Sequence, residues 1–167
     1  MKTDRPQLRI PLQLSDWILE SFALVALLFT VYVVFKHYGA LPDTIPSHYN
    51  AMGEPDDFRS KSLLFVLLGI SVFQYLLLTG LSRIPHHFNY LEEITPENAY
   101  SQYSKALKIV RISKLGVVLL FGYILWQTIQ IGLGNAQGLS RYFLGFGIGF
   151  YLLILLVYIL KARSKKG

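Results

Sequence analysis

Four apolar stretches dominate the pattern of hydrophobic and polar positions, at about 17–35, 62–82, 112–133 and 141–160. Each is apolar nearly all round, none contains proline, and charges or turn residues bound each one. At ~1.5 Å rise per residue, a helix of ~20 residues crosses the ~30 Å hydrocarbon core of a bilayer. A soluble four-helix bundle would need a polar face on every helix, and these offer none. The pattern therefore predicts an all-α integral membrane protein, a single membrane domain over 1–167 with four transmembrane helices. The first stretch has a longer apolar core than a signal peptide and no small-residue cleavage pattern after it, so it is expected to remain as an anchor.

The segments between the spans are unequal. Residues 39–61 form the first connection, with Pro42 and Pro46 stiffening an extended run, a turn at Gly53-Glu54-Pro55-Asp56, and Ser60 as N-cap of the second helix. The second connection, 83–95, leads into Thr95-Pro96-Glu97-Asn98, which reads as a helix start with Thr95 as N-cap and Pro96 at the first helical position. From there an amphipathic helix over 96–111 is expected to run on into the third span. Ala99, Tyr103, Ala106, Leu107 and Val110 form its apolar stripe, and Ser101, Gln102, Lys105 and Lys108 the opposite side. Lys105, Lys108, Arg111 and Lys114 recur every three residues, where they could reach lipid phosphates.

Charge placement orients the chain. With the N-terminus in the cytoplasm, twelve Lys and Arg lie on that side and four on the other, Lys36, Arg59, Lys61 and Arg141. That asymmetry predicts an N-in/C-in topology, with the amphipathic start of the third helix in the cytoplasm. The formal charge of +6 is then mostly a topology signal and an attraction to anionic lipids, with no nucleic-acid partner implied. The absence of cysteine removes disulfides and thiolate ligands.

One motif occurs twice. "IPSHYN" at 45–50 and "IPHHFN" at 84–89 both read Ile-Pro-x-His-aromatic-Asn. The residue before proline is driven toward extended backbone, and in extended chain positions i and i+2 share a face. His48 and Asn50 should point together with Tyr49 opposite, and His87 and Asn89 likewise with Phe88 opposite. The two copies fall on opposite sides of the membrane and should not share a site. Each pair is open to two readings, a ligand-contacting site or a means of satisfying loop backbone near the bilayer.

Asp43, Glu54, Asp56 and Asp57 share the first connection with His48, and His37 lies at its edge, but no metal-ligand spacing is present, so no metal or cofactor is expected. No nucleophile elbow, zinc-protease motif or phosphate loop appears, and no catalytic residue is assigned. Glu20, about one turn into the first span, lies within reach of water or Arg9. Gln127, Thr128 and Gln130 mark the outer end of the third span and could bond to the outer loop. The Gly145/Gly149 pair would permit close helix packing.

The segment "LPDTIPSHYNAMGEPDDFRSKS" resembles the hallmark of a bacterial membrane family of unknown function, Leu-Pro-x-x-Ile-Pro-x-His-aromatic-Asn, then Gly-x-x-Asp, then Ser-Lys. The same hallmark forms the N-terminal part of SdpI-like immunity proteins, which protect a producing cell against a secreted peptide toxin. The second block, "HHFNYLEEITPENAYSQYSKALKIVR", is similar to the corresponding segment of short four-helix members. The resemblance implies the bacterial cytoplasmic membrane and places candidate ligand-binding residues at Pro42, Pro46, His48, Asn50, Gly53, Asp56 and Lys61. A second motif falls on His87, Asn89, Tyr90, Thr95, Asn98 and Tyr103. SdpI-like proteins carry further spans and a C-terminal domain for which this sequence has no room. The expected function is a binding, sensing or immunity-type protein with membrane lipids, an external peptide or protein, and a cytoplasmic or membrane protein as partners. The alternatives are an accessory subunit of a larger membrane complex and, less favoured, an enzyme acting on a lipid headgroup or peptide.

Overall fold

The structure, a computed structural model, describes residues 5–143, 145–147, 149–153 and 156. Helix α1 (Leu14–Tyr38) leads into strands β1 (Thr44–Tyr49) and β2 (Pro55–Ser60). Helix α2 (Leu63–Leu81) follows, then a 3₁₀ turn (Pro85–His87) and α3 (Ala99–Gly132). The three α-helices are each long and apolar enough to cross a membrane. At ~1.5 Å per residue they are roughly 38, 28 and 51 Å long, so α3 outruns a ~30 Å core by several turns. Phe143, 145–147, 149–153 and 156 are helical, and the rest of the fourth expected span lies outside the described residues.

Side-chain exposure is inverted relative to a water-soluble bundle. Phe22, Val25 and Phe29 of α1 and Val66, Phe73 and Leu76 of α2 face outward. Continuous apolar surface of this kind is not left to water by a soluble monomer; it is the surface a helix presents to lipid.

Helices α1 and α3 run side by side in the same direction, with α2 antiparallel to both. Successive contacts show the register: Asp16 meets Arg111, Thr30 lies against Gly122, and the His37 and Trp126 rings meet edge to face. A Cβ at Gly122 would sit 2.9 Å from Thr30 Oγ1, so a glycine is what lets the two backbones approach. At one end of the bundle, the hairpin end, Val33, Val34, Leu41, Ile45, Leu64, Leu68, Leu125 and Ile129 form the main core. At the other, the N-terminal end, Ile94, Ala99 and Tyr103 form a smaller one, packed by Ile10 and Tyr90.

Four expectations need correction. The fold is mostly helical but not all-α, because 44–60 folds as an antiparallel hairpin with Thr44 opposite Ser60, Ile45 opposite Arg59 and Pro46 opposite Phe58. The second Ile-Pro motif is not extended: with no partner strand, it closes a 3₁₀ turn in which His87 N–H bonds the Ile84 carbonyl at 3.1 Å. Helix α3 begins at Ala99 after a turn in which the Asn98 and Ala99 amides both bond to the Thr95 carbonyl. Helix α2 is preceded by Ser62, whose amide and hydroxyl both bond to the Ser60 hydroxyl.

Candidate functional site

The hairpin is held together by the residues that drew attention in the sequence. Asn50 Oδ1 accepts hydrogen bonds from the amides of Met52 and Glu54 at 2.8 and 3.0 Å, so its side chain builds the turn. Gly53 follows at φ +84°, and its carbonyl accepts from Leu139 N–H at 2.7 Å. A Cβ there would lie 2.4 Å from the Leu139 carbonyl oxygen, so both conformation and space demand glycine. His48 Nδ1 lies 2.5 Å from Asp56 Oδ1 across the strands, and both side chains are exposed. Ser47 and Arg59 converge on Asp57; the Ser47 hydroxyl first, then the guanidinium, hold that carboxyl below its usual range. Lys61 donates to the Leu41 carbonyl at 3.0 Å and lies 3.5 Å from Asp43, closing the base of the hairpin. Pro46 is buried within β1, and Pro42 is exposed beside Gly132.

The regular alternation expected along β1 is interrupted: Ile45 and Pro46 are both buried, register shifts flank His48, and the Asn50 side chain is drawn into the turn. The environment of Tyr49 also differs from that of a lipid-facing aromatic. Its hydroxyl meets Thr128 Oγ1 of α3 at 2.7 Å, and burial pushes the phenol pKa up. The polar end of α3 nearest the hairpin thus bonds to it through Thr128, while Gln127 donates to the Gly138 carbonyl at 2.8 Å. With β1 packed on α3, strand β2 is left as the outer edge, and every residue after Pro55 in it is exposed. Phe58 and, at the turn, Met52 are its large exposed apolar side chains.

The second motif is tied to the N-terminal segment. Arg5 donates to the carbonyls of His86 and Phe88 at 3.2 and 2.7 Å and lies over the Tyr90 ring. Tyr90 donates to the Pro85 carbonyl at 2.8 Å and packs on buried Tyr103. Asn98 Oδ1 accepts from Thr95 N–H at 3.0 Å, and the Thr95 hydroxyl holds the Glu97 carboxyl below its usual range. His87 and Asn89 are exposed, the former beside the His86 ring. The hairpin meets α3 at Thr128 and the second motif meets it at Tyr103, roughly 38 Å apart along the helix. The two motifs do not form one site.

A constellation that sequence reasoning missed lies near the N-terminal end. Asp16 and Glu20, one turn apart on α1, face Lys108, Arg111 and Lys114 of α3. Asp16 Oδ1 lies 3.1 Å from both Lys108 Nζ and Arg111 Nη1, while its Oδ2 accepts from Gln13 N–H at 3.0 Å and so also caps α1. Lys108 additionally bonds Ser15 Oγ. Lys114 Nζ donates to Glu20 Oε2 at 2.5 Å and to Thr79 Oγ1 of α2 at 2.9 Å, beneath the Tyr75 ring. Lys114 is 1% exposed and Arg111 5%. These two cations, expected to reach lipid phosphates, instead join three helices from within, and Glu20 pairs with α3 and not with Arg9. The spacing held a signal: carboxylates at i and i+4 on one helix match cations repeating at i+3 on another. Among the described residues, no three His, Asp or Glu side chains converge as metal ligands.

Comparison with known proteins locates the recognisable part of the chain. Residues 24–72 match DUF1648, a domain of unknown function. The match runs from the middle of α1 through the hairpin into α2 and leaves the ionic cluster outside it. No curated protein and no solved structure matches the chain significantly.

Proposed function

We propose that this is a multi-pass protein of the bacterial cytoplasmic membrane, four-spanning and N-in/C-in, that binds an extracytoplasmic peptide or protein on its hairpin. The observation that carries this reading is the outer edge of β2, which has no strand beside it among the described residues and so offers main-chain groups to an added strand. Phe58 and the Asp57–Arg59 pair supply side-chain selectivity beside it. His48, Asn50, Gly53, Asp56 and Lys61 act by fixing the hairpin that presents this edge, with Pro42 and Pro46 stiffening its entry. The segment that matches the family is centred on the same hairpin, and the resemblance to SdpI-like immunity proteins supports a peptide as the ligand class. His87, Asn89, Tyr90, Asn98 and Tyr103 then serve the cytoplasmic end, where a protein partner would dock.

Photocrosslinking tests this. A photoreactive residue at Phe58, in otherwise intact cells, should give a discrete peptide or protein adduct that Arg59→Glu abolishes, while the same residue at Leu76 on α2 gives lipid adducts only. Lipid adducts alone at position 58 would make the hairpin a membrane anchor and defeat the binding reading.

A further inference from the structure

The N-terminal end holds a second feature that the hairpin reading does not use. A cavity of about 820 Å³ opens between the 8–12 segment, α1, α2 and α3. Leu12, Trp17 and Leu107 give it apolar walls, and Arg9, Arg83 and Arg111 line it. Arg111 is only 5% exposed, and its Nε has no hydrogen-bond acceptor, Glu20 being 3.7 Å away. A buried guanidinium N–H without an acceptor is costly, and guanidinium forks match phosphate oxygens well. Arg9 and Arg83 are exposed, and their side chains make no ion pair or hydrogen bond among the described residues. The formal charges lining this volume do not balance: Arg9, Arg83 and Arg111 stand against the one carboxylate of Glu20, an excess of two positive charges.

We propose that this cavity is a phosphate-ester site that takes the headgroup of an anionic phospholipid. The phosphate would sit between Arg9 and Arg83 with Arg111 Nε donating from below, and an acyl chain would follow the apolar wall at Trp17 and Leu107. A basic pocket between helices at a membrane surface is the setting in which such headgroups bind. Inorganic phosphate shares the charge chemistry but has nothing to place on the apolar wall.

The test uses the full chain purified in neutral detergent, with native mass spectrometry and thermal melting as readouts. Three additions are compared: dioleoyl phosphatidylglycerol, dioleoyl phosphatidylcholine and inorganic phosphate. Phosphatidylglycerol should be retained at one per chain and raise the melting temperature, phosphatidylcholine should do neither, and phosphate should not displace the lipid. The double variant Arg9→Gln/Arg83→Gln removes two cations that tie no helix together, so it should fold and bind phosphatidylglycerol on the order of tenfold more weakly. Protection and lipid displacement by phosphate alone would overturn the lipid assignment and make a free phosphate the ligand of the same site. Equal retention of the two lipids with no effect of phosphate, or unchanged retention by the double variant, would overturn the proposal.

Discussion

Removing one partner from the Glu20–Lys114 pair tests whether the buried ions hold the helices together. Lys114 is 1% exposed and Glu20 23%, with 2.5 Å between Nζ and Oε2. Glu20→Gln leaves the buried ammonium with neutral acceptors only, the new amide oxygen, the Thr79 hydroxyl and the Tyr75 ring, and breaking a buried pair from one side costs about 3–5 kcal/mol. Lys114→Met leaves Glu20 with Arg111 at 3.7 Å and some water, so its cost should fall near the lower end, about 3 kcal/mol. The double variant carries no orphaned charge, and exchanging a buried pair for neutral groups is often close to neutral. It should therefore cost less than Glu20→Gln alone, so the coupling energy should exceed the Lys114→Met cost of about 3 kcal/mol. Reversible unfolding of the micellar protein with increasing sodium dodecyl sulfate, followed by Trp17 and Trp126 fluorescence, measures all four corners of the cycle. Single variants costing under about 1 kcal/mol, or a double variant equal to their sum, would refute the reasoning.

The hairpin yields further expected outcomes. Gly53→Ala should destabilise its contact with the 133–142 segment by about 1–3 kcal/mol, because φ is +84° and the new Cβ would meet the Leu139 carbonyl; faster amide exchange at Leu139 would report it. Tyr49→Phe should cost about 1–2 kcal/mol in melting experiments by leaving the buried Thr128 hydroxyl without its partner. The Asp57 carboxyl is held below its ordinary value of 3.8 in the fold, so its stabilising contribution is complete above that value and is lost as pH falls through the lowered one. Hairpin amide exchange should thus be insensitive to pH-dependent opening near neutrality and rise only in strong acid, and Asp57→Asn should remove that rise.

The helices were legible because lipid-facing and buried positions are both apolar, which leaves uninterrupted runs that nothing else explains. The fate of the two Ile-Pro motifs was not legible, because it depends on partners far along the chain. The first pairs with "PDDFRS", a segment with little intrinsic strand preference that is extended by Asn50 and Gly53 turning the chain back. The second has no such partner, and Arg5 gathers its carbonyls into a turn. The ionic cluster was hidden for a different reason. Which of four periodic cations faces lipid phosphate and which faces a carboxylate depends on the rotation of α3 against α1, and Gly122 against Thr30 helps set that rotation. Histidine and asparagine in the hairpin were visible as candidates, yet their side chains serve the strand pairing and the turn.

The most direct test of the account asks whether the two ends of the bundle lie on opposite faces of a membrane. The chain has no cysteine, so Met52→Cys at the hairpin turn and Leu91→Cys beyond the 3₁₀ turn, both at exposed positions, give single reporters. A membrane-impermeant thiol reagent applied to intact cells should label position 52 and leave position 91 untouched until the cells are permeabilised. Labelling of both positions in intact cells, or of position 91 alone, would contradict a hairpin that meets its ligand outside the cytoplasm.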